Sequence, residues 1–168
     1  SRTTIIELAE KEGLKTGIIT TARITDATPA ATYAHASDRT WENDSKIPEA
    51  STEKGCTDIA NQLAVFSYGD GIDLAFGGGR SNFHASTTPD LEYSELVGAR
   101  TDGRDLINEW VTGGQNRRFI WNLAQFNNLS YKGQILGLFE PLEMQYEVER
   151  AQDGVGEPSI SDMAAVAV

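Results

Sequence analysis

The chain has too few cysteines, histidines and long apolar runs for several classes of protein. Cys56 is the only cysteine among 168 residues, so no disulfide can form within the chain. The two histidines, His35 and His84, cannot form a zinc site with Cys56 at any usual spacing. No apolar run approaches the roughly 20 residues of a membrane-spanning helix. The opening residues, Ser-Arg-Thr-Thr, lack the apolar core of a signal peptide.

Positive charge is also scarce, which excludes two classes of partner. The chain has 14 lysines and arginines against 25 aspartates and glutamates, and its net charge is −11. Nucleic acids and anionic membranes both need a basic face, so neither is an expected partner. An anionic ligand would need local positive charge from a metal ion or an arginine.

Apolar runs that alternate with helical patterns predict an α/β fold with a mainly parallel sheet. We expect a helix from Thr4 to Gly13 with Ile5, Leu8 and Ala9 on its apolar face. The first strand, 17–22, is rich in β-branched residues, which predicts an interior position in the sheet. Further strands are predicted at 72–76, 118–121 and 135–139, and further helices at 28–39, 58–66, 105–111, 123–127 and from 158 onwards.

The most informative stretch follows the first strand, where Asp26, Thr28 and Arg39 lie within one short segment. Carboxylate and hydroxyl oxygens suit a hard divalent cation, and a guanidinium fork suits an oxyanion. Asp-Ala-Thr-Pro is also a good helix cap, and an arginine at a helix end is often only a solvated cation. From these residues alone both interpretations stay open.

Other candidate residues have simpler explanations. His35 is predicted to pack, and His84 is predicted to be a loop histidine. The run Gly77-Gly78-Gly79-Arg80 suggests a phosphate-binding loop but lacks the Gly-Lys-Ser/Thr of that motif. We therefore interpret it as the turn at the end of a strand.

Five segments of the chain, in order and at matching spacing, resemble alkaline phosphatases of both the bacterial and the animal branch. Each motif is weak by itself, and together they are specific and cover nearly the whole chain. The segments are TTARITDATPAATYAH (20–35), GCTDIA (55–60), AFGGGR (75–80), LGLFEP (136–141) and EPSISDM (157–163).

The resemblance implies that residues 1–168 are a single internal segment of an alkaline phosphatase catalytic domain, a three-layer α/β fold. Such enzymes hydrolyse phosphate monoesters with a serine nucleophile, two zinc ions and one magnesium ion. By position, Asp26 and Thr28 match residues of the magnesium site, and Arg39 matches the arginine that binds the substrate phosphate. The nucleophile and the zinc ligands match no residue of this chain, so the isolated segment is expected to be inactive.

A second set of residues matches a peripheral calcium site of animal members of the family. By the resemblance, its ligands are Glu92, the carbonyl of Phe139, Glu140 and Glu157, where Glu157 replaces the usual aspartate. Without the resemblance these three glutamates would be ordinary surface acids. Cys56 matches a cysteine that animal members pair with one further upstream.

The resemblance further implies a homodimer located in the periplasm or outside the cell. Two other functions stay open. The chain could be an inactive structural or calcium-binding fragment of the fold, or a relative that acts on sulfate or a mutase substrate. The Asp-Ala-Thr-Pro-Ala and Leu-Phe-Glu-Pro motifs argue against the last of these.

Overall fold

The computed structural model describes residues 2–130 and 132–167, which form a mixed α/β structure. The strands are β1 (Gly17–Arg23), β2 (Leu74–Gly78), β3 (Arg117–Ile120) and β4 (Gln134–Leu138). The helices are α1 (Ile5–Lys11), α2 (Ala27–Ala30), α3 (Glu49–Thr52), α4 (Ile59–Ala64), α5 (Leu106–Thr112), α6 (Leu123–Asn127) and α7 (Ile160–Ala167). Short 3₁₀ helices cover Asp44–Lys46, Arg80–Phe83 and Arg150–Gln152. Among the described residues, no helix has the length and apolar character needed to cross a membrane.

The four strands form one sheet in the order β1-β2-β4-β3. All three pairings are parallel, which confirms the predicted sheet. Because the strands are parallel, all of them end at the same edge of the sheet, where ligand sites of α/β folds commonly lie. The segments that follow β1, β2 and β4 therefore meet at this carboxyl edge.

Side chains that alternate along the strands fill two separate apolar layers, one on each face of the sheet. In β2, Ala75 faces a core shared with α1, α4 and α5. Its neighbours Leu74 and Phe76 face the other core, which contains Phe126 of α6 and Met163 of α7. Helices thus cover both faces, which confirms the three-layer arrangement.

The interior position predicted for the first strand is not seen among the described residues, where β1 lies at one end of the strand order. Its β-branched run is only partly buried. Burial on its outer side comes from irregular chain, since Met144 N donates a hydrogen bond of 2.9 Å to Thr21 O. A β-branched run favours a strand, but it does not specify how many neighbours that strand has.

The predicted face of α1 is wrong. Ile5 and Leu8 are 72% and 55% exposed, whereas Ile6, Glu7 and Glu10 are buried. The capping box between Thr4 and Glu7 is present as predicted. The helix turns its two glutamates inward because each finds a partner: Glu7 accepts from Thr4 N, and Glu10 accepts from the hydroxyl of Thr16. Partnered carboxylates can be buried, so the apolar pattern alone predicted the wrong face.

The helix predicted from Thr28 to Arg39 is much shorter in the structure. α2 ends at Ala30, and its N-cap is Asp26, whose carboxylate accepts a 2.7 Å hydrogen bond from Ala27 N. The chain then turns back and is fixed by the phenol of Tyr33, which donates to Ile24 O at 3.0 Å. This buried tertiary contact outweighs the helical propensity of the alanines.

His84, which we predicted to be a loop histidine, is 7% exposed. Neither ring nitrogen has a hydrogen-bond partner among the described residues, although Nδ1 lies 3.5 Å from Asp105 Oδ1. Burial lowers the pKa of His84, with the charge of Asp105 opposing the shift. The fold therefore favours the neutral imidazole.

This burial predicts that the protein loses stability in mild acid. In the unfolded chain His84 is protonated as the pH falls through its ordinary pKa. In the folded chain it is protonated only at a lower pH, because its pKa is lowered. The contribution is complete above about pH 6.5 and is lost as the pH falls through the folded pKa. Thermal unfolding measured from about pH 7 to about pH 5 should show a smaller loss for His84→Gln than for the wild type. Equal losses in the two proteins would contradict this assignment.

Candidate functional site

Asp26 and Arg39 lie together at the carboxyl edge of the sheet, just beyond β1. Arg39 Nη2 donates to Asp26 Oδ1 at 2.7 Å, the same oxygen that accepts from Ala27 N. These hydrogen bonds, and the positive charges of Arg39 and Arg23, lower the pKa of Asp26 against the effect of its partial burial. The carboxylate is therefore ionised and held in one orientation, while most of the Arg39 side chain is exposed.

Thr28 lies in the first turn of α2 with its side chain exposed. Its hydroxyl and the Asp26 carboxylate are hard oxygen donors on one short element, a set that suits magnesium. Magnesium needs about six oxygen ligands, of which this chain offers two here, and bound waters commonly supply several of the rest.

A polar network supports the start of this segment, and the sequence analysis did not identify it. Arg23 donates to both oxygens of Glu42, from Nε at 2.8 Å and from Nη2 at 2.9 Å. Thr25 Oγ1 donates to Glu42 Oε2 at 2.6 Å, and Asn82 Nδ2 donates to Thr25 Oγ1 at 2.8 Å. Residues 23 and 42 are far apart in sequence, and nothing in the local pattern predicted that they would pair.

A second candidate site is a cluster of carboxylates that we call the acidic cluster: Glu92, Glu140 and Asp153. One oxygen of each lies within 4.8 Å of the others, and among the described residues this is the one group of three metal-ligating side chains with that spacing. Glu92 Oε2 and Asp153 Oδ2 are buried without a hydrogen-bond partner. Buried carboxyl oxygens that face one another without hydrogen-bond donors form a set that fits a cation with oxygen ligands, such as calcium.

Glu157 lies beside the acidic cluster without belonging to it by this distance. Its side chain is buried, with Oε1 accepting from Gln145 N at 2.8 Å and Oε2 unpartnered. Phe139 directly precedes Glu140, and its ring packs edge-on against Phe76 and Phe126 in the core that also contains Met163 of α7. The structure therefore brings Glu92 and Glu140 together, as the expected calcium site requires, and adds Asp153, which the sequence analysis did not identify.

The electrostatics of the acidic cluster are unfavourable without a cation. Burial raises the pKa of Glu140 to about 6 and that of Glu157 to about 7, and the neighbouring carboxylates add to both shifts. Burial raises the pKa of Glu92 as well, and the adjacent Asp153 and Glu140 raise it further. Like charges in a poorly solvated site each disfavour the ionisation of the others.

One buried cation lies next to the acidic cluster. Arg80 is fully buried, and its Nη2 lies 3.6 Å from Glu92 Oε2. Its stronger partner is Asp90, which accepts from Nε at 2.8 Å and from Nη2 at 2.7 Å. Gly77 and Gly78 belong to β2, and the turn itself begins at Gly79, so this glycine run ends a strand as we interpreted it.

The parallel sheet, with helices on both faces and polar side chains at its carboxyl edge, defines the class of layered α/β proteins. A family model described as alkaline phosphatase matches residues 1–168, which is the whole chain. The chain therefore belongs to the alkaline phosphatase family, as the resemblance indicated.

Curated relatives agree with this assignment. An alkaline phosphatase of Gadus morhua is 39% identical over 173 residues, which cover 99% of this chain and 35% of the relative. The tissue-nonspecific isozyme of Homo sapiens is 39% identical over 177 residues, which cover 99% of this chain and 32% of the relative. The chain thus spans about a third of the length of the curated relatives that it matches.

Solved structures support the fold. The alkaline phosphatase of Thermus thermophilus superimposes with a TM-score of 0.68 at 24% identity, over 96% of this chain and 27% of that one. The enzyme of the Antarctic bacterium TAB5 gives 0.59 at 24% identity, over 96% of this chain and 37% of that one. A variant of the TAB5 enzyme with magnesium bound in its M3 site matches with a TM-score of 0.58 at 22% identity, over 99% of this chain and 38% of that one.

The repulsion within the acidic cluster predicts that removing one of its charges stabilises the metal-free protein. Asp153→Asn keeps the side-chain shape and removes one negative charge, so the free energy of unfolding in a chelator should rise by on the order of 1 kcal/mol. Glu53→Gln, which removes an exposed charge at the C-cap of α3, is the control and should have little effect. Destabilisation by Asp153→Asn in chelator would show that Asp153 is held by favourable contacts instead.

Proposed function

We propose that the full-length protein hydrolyses phosphate monoesters and that this chain supplies magnesium and phosphate ligands to the reaction. The observation that carries the proposal is the 2.7 Å contact between Arg39 and Asp26 at the carboxyl edge of the sheet. This contact places a guanidinium, which can bind an oxyanion, next to a carboxylate, which can bind a metal ion. Membership of the alkaline phosphatase family supports the choice of reaction.

The roles of the individual residues follow from their contacts. Asp26 holds one nitrogen of Arg39, which leaves most of the exposed guanidinium directed at solvent and available to phosphate oxygens. Asp26 and the Thr28 hydroxyl offer oxygens to magnesium. Magnesium and two zinc ions, when bound, would supply the positive charge that activates the nucleophile and stabilises the developing charge on the phosphoryl group.

The same proposal assigns the reaction to the full-length protein and not to this segment alone. By the resemblance, the serine nucleophile and the zinc ligands belong to parts of the family fold that residues 1–168 do not match. The internal position of the segment, assembly into a homodimer and a periplasmic or extracellular location are parts of the same proposal.

We expect Arg39→Ala in the full-length enzyme to weaken phosphate binding without abolishing turnover. Loss of charge-assisted hydrogen bonds of this kind costs about 1.5–3 kcal/mol, or roughly 10- to 150-fold in affinity. The measurements are KM and kcat for p-nitrophenyl phosphate with zinc and magnesium, and the inhibition constant of inorganic phosphate.

Two controls make this result specific. Arg104→Ala removes another partly exposed arginine, one that binds Glu109 on α5, and should leave both constants unchanged. Residues 1–168 expressed alone should show no turnover with the same metals. Complete loss of turnover in Arg39→Ala would show that the role of Arg39 is misassigned, and turnover by the isolated segment would contradict its assignment as inactive.

We further propose that the acidic cluster, with Glu157 and the carbonyl of Phe139, binds calcium. The unpartnered buried oxygens of Glu92, Asp153 and Glu157 support this second function. Carboxylates and a carbonyl are the ligands that calcium prefers, and a doubly charged ion offsets the burial and the repulsion that together raise the pKa of Glu140. Burying the Glu140 carboxylate costs free energy, and a role as a metal ligand explains this burial better than a role as an ordinary surface acid.

Calcium titration should change tryptophan fluorescence in the wild type and not in Glu140→Ala. Trp121 reports on the site because the Arg80 guanidinium lies 5.5 Å from its ring centroid and also lies beside Glu92. Glu109→Ala, which removes an acid paired with Arg104, is the matched control and should titrate like the wild type. The same response in Glu140→Ala and in the wild type would remove the proposed site.

A further inference from the structure

Glu42 connects the two ends of the segment that carries Asp26 and Arg39. Arg23 and Thr25, which precede the segment, donate to its carboxylate over 2.6–2.9 Å. Glu42 itself follows the segment in the chain and is only 16% exposed in its side chain. One carboxylate therefore fixes both where the segment leaves β1 and where it returns.

The carboxylate is held in place by its own backbone. Trp41 O accepts from Ile59 N at 2.9 Å, and Glu42 O accepts from Ala60 N at 3.2 Å, so these residues are bound to the first turn of α4. Asn43 Nδ2 donates to the buried Asn82 Oδ1 at 2.7 Å. The backbone around Glu42 is thus fixed by hydrogen bonds to α4 and to Asn82, so the Glu42 carboxylate is a fixed partner for Arg23.

The charge of Arg23 matters for Asp26 as well as for Glu42. Its positive charge is among the causes that lower the pKa of Asp26, so the two groups lie close enough to attract each other. Glu42 binds two nitrogens of Arg23, and Glu143 pairs with the third. If Glu42 were neutral, Arg23 would keep only its contact with Glu143, and the two nitrogens that Glu42 had bound would be free to turn towards Asp26 and compete there with Arg39 and with a metal ion.

We propose that Glu42 is a positioning residue that holds Arg23 away from Asp26, so that Asp26 can bind magnesium and keep Arg39 oriented for phosphate. This proposal rests on the proposed function of Asp26 and Arg39. Glu42 makes no contact with substrate in this scheme, and it acts through Arg23 and Thr25.

The test uses the full-length enzyme with its zinc sites filled. Magnesium binding is measured by equilibrium dialysis, inorganic phosphate binding by calorimetry, and KM and kcat with p-nitrophenyl phosphate. Glu42→Gln should weaken magnesium binding by about tenfold, the lower end of what loss of a contact behind a metal ligand costs. Phosphate binding should weaken with it, because Arg39 loses its fixed partner.

The decisive variant is the double change Glu42→Gln with Arg23→Gln. It removes the competing cation together with its partner, so magnesium affinity should return towards the wild-type value. Glu109→Gln is the matched control, because Glu109 also accepts two hydrogen bonds from one arginine, at 3.0 and 2.5 Å, and it lies on α5. It should leave both binding constants unchanged. If Glu42→Gln does not fold, Arg23→Lys, which keeps the charge and loses the two-pronged contact, should show the same weakening.

The outcomes separate the two proposals. If Asp26→Ala and Arg39→Ala change the magnesium and phosphate constants while Glu42→Gln does not, the positioning role is wrong and the proposed function stands. A loss in Glu42→Gln that the double variant does not restore also overturns the positioning role. If Asp26→Ala and Arg39→Ala leave both constants unchanged, the proposed function itself fails.

Discussion

The buried guanidinium of Arg80 is the constraint on which the carboxyl edge of the sheet depends. A charge with no exposure to water must be paired and fully hydrogen-bonded. Arg80 meets this requirement with both oxygens of Asp90 and with Leu138 O, which accepts from Nη1 at 2.9 Å. The residue follows β2 and its carbonyl partner ends β4, so the same contact fixes two strand ends against each other. It also fixes the loop at Asp90, two residues before Glu92.

The acidic cluster follows from this arrangement. Asp90 Oδ1 accepts from Glu92 N at 3.0 Å, so the ion pair of Arg80 also sets the backbone from which the Glu92 side chain extends. Glu140 is brought near by the turn after β4, where Gly79 N donates to Glu140 O at 3.0 Å and to Leu142 O at 2.7 Å. Arg80 is already neutralised by Asp90, and one cation cannot balance three further carboxylates at once. The excess negative charge is what a divalent ion would offset.

The parts of this fold that the sequence predicted are those that depend on short apolar runs. Residues 74–76 of β2 and 135–138 of β4 are buried and carry no charged or polar side chain on either face, which is typical of parallel strands between two layers of helices. The face of α1 was mispredicted because Glu7 and Glu10 gain hydrogen bonds that no apolar pattern shows. Asp153 was missed for a related reason. It lies in a loop, and its position near Glu92 is set by tertiary contacts of chain that is distant in sequence.

Motif resemblance predicted Asp26, Arg39, Glu92 and Glu140 as site residues, but it could not predict the residues that hold them in place. Glu143 pairs with Arg23, and it lies between Glu140 of the acidic cluster and Met144, whose amide donates to β1. The segment after β4 therefore contacts both candidate sites: Glu140 belongs to the acidic cluster, and Glu143 pairs with Arg23 beside Asp26. The backbone of this segment is hydrogen-bonded to the end of β1 through Met144 N and to the turn after β2 through the carbonyls of Glu140 and Leu142. The two candidate sites are therefore attached to one short segment, which is hydrogen-bonded at both ends at the carboxyl edge of the sheet.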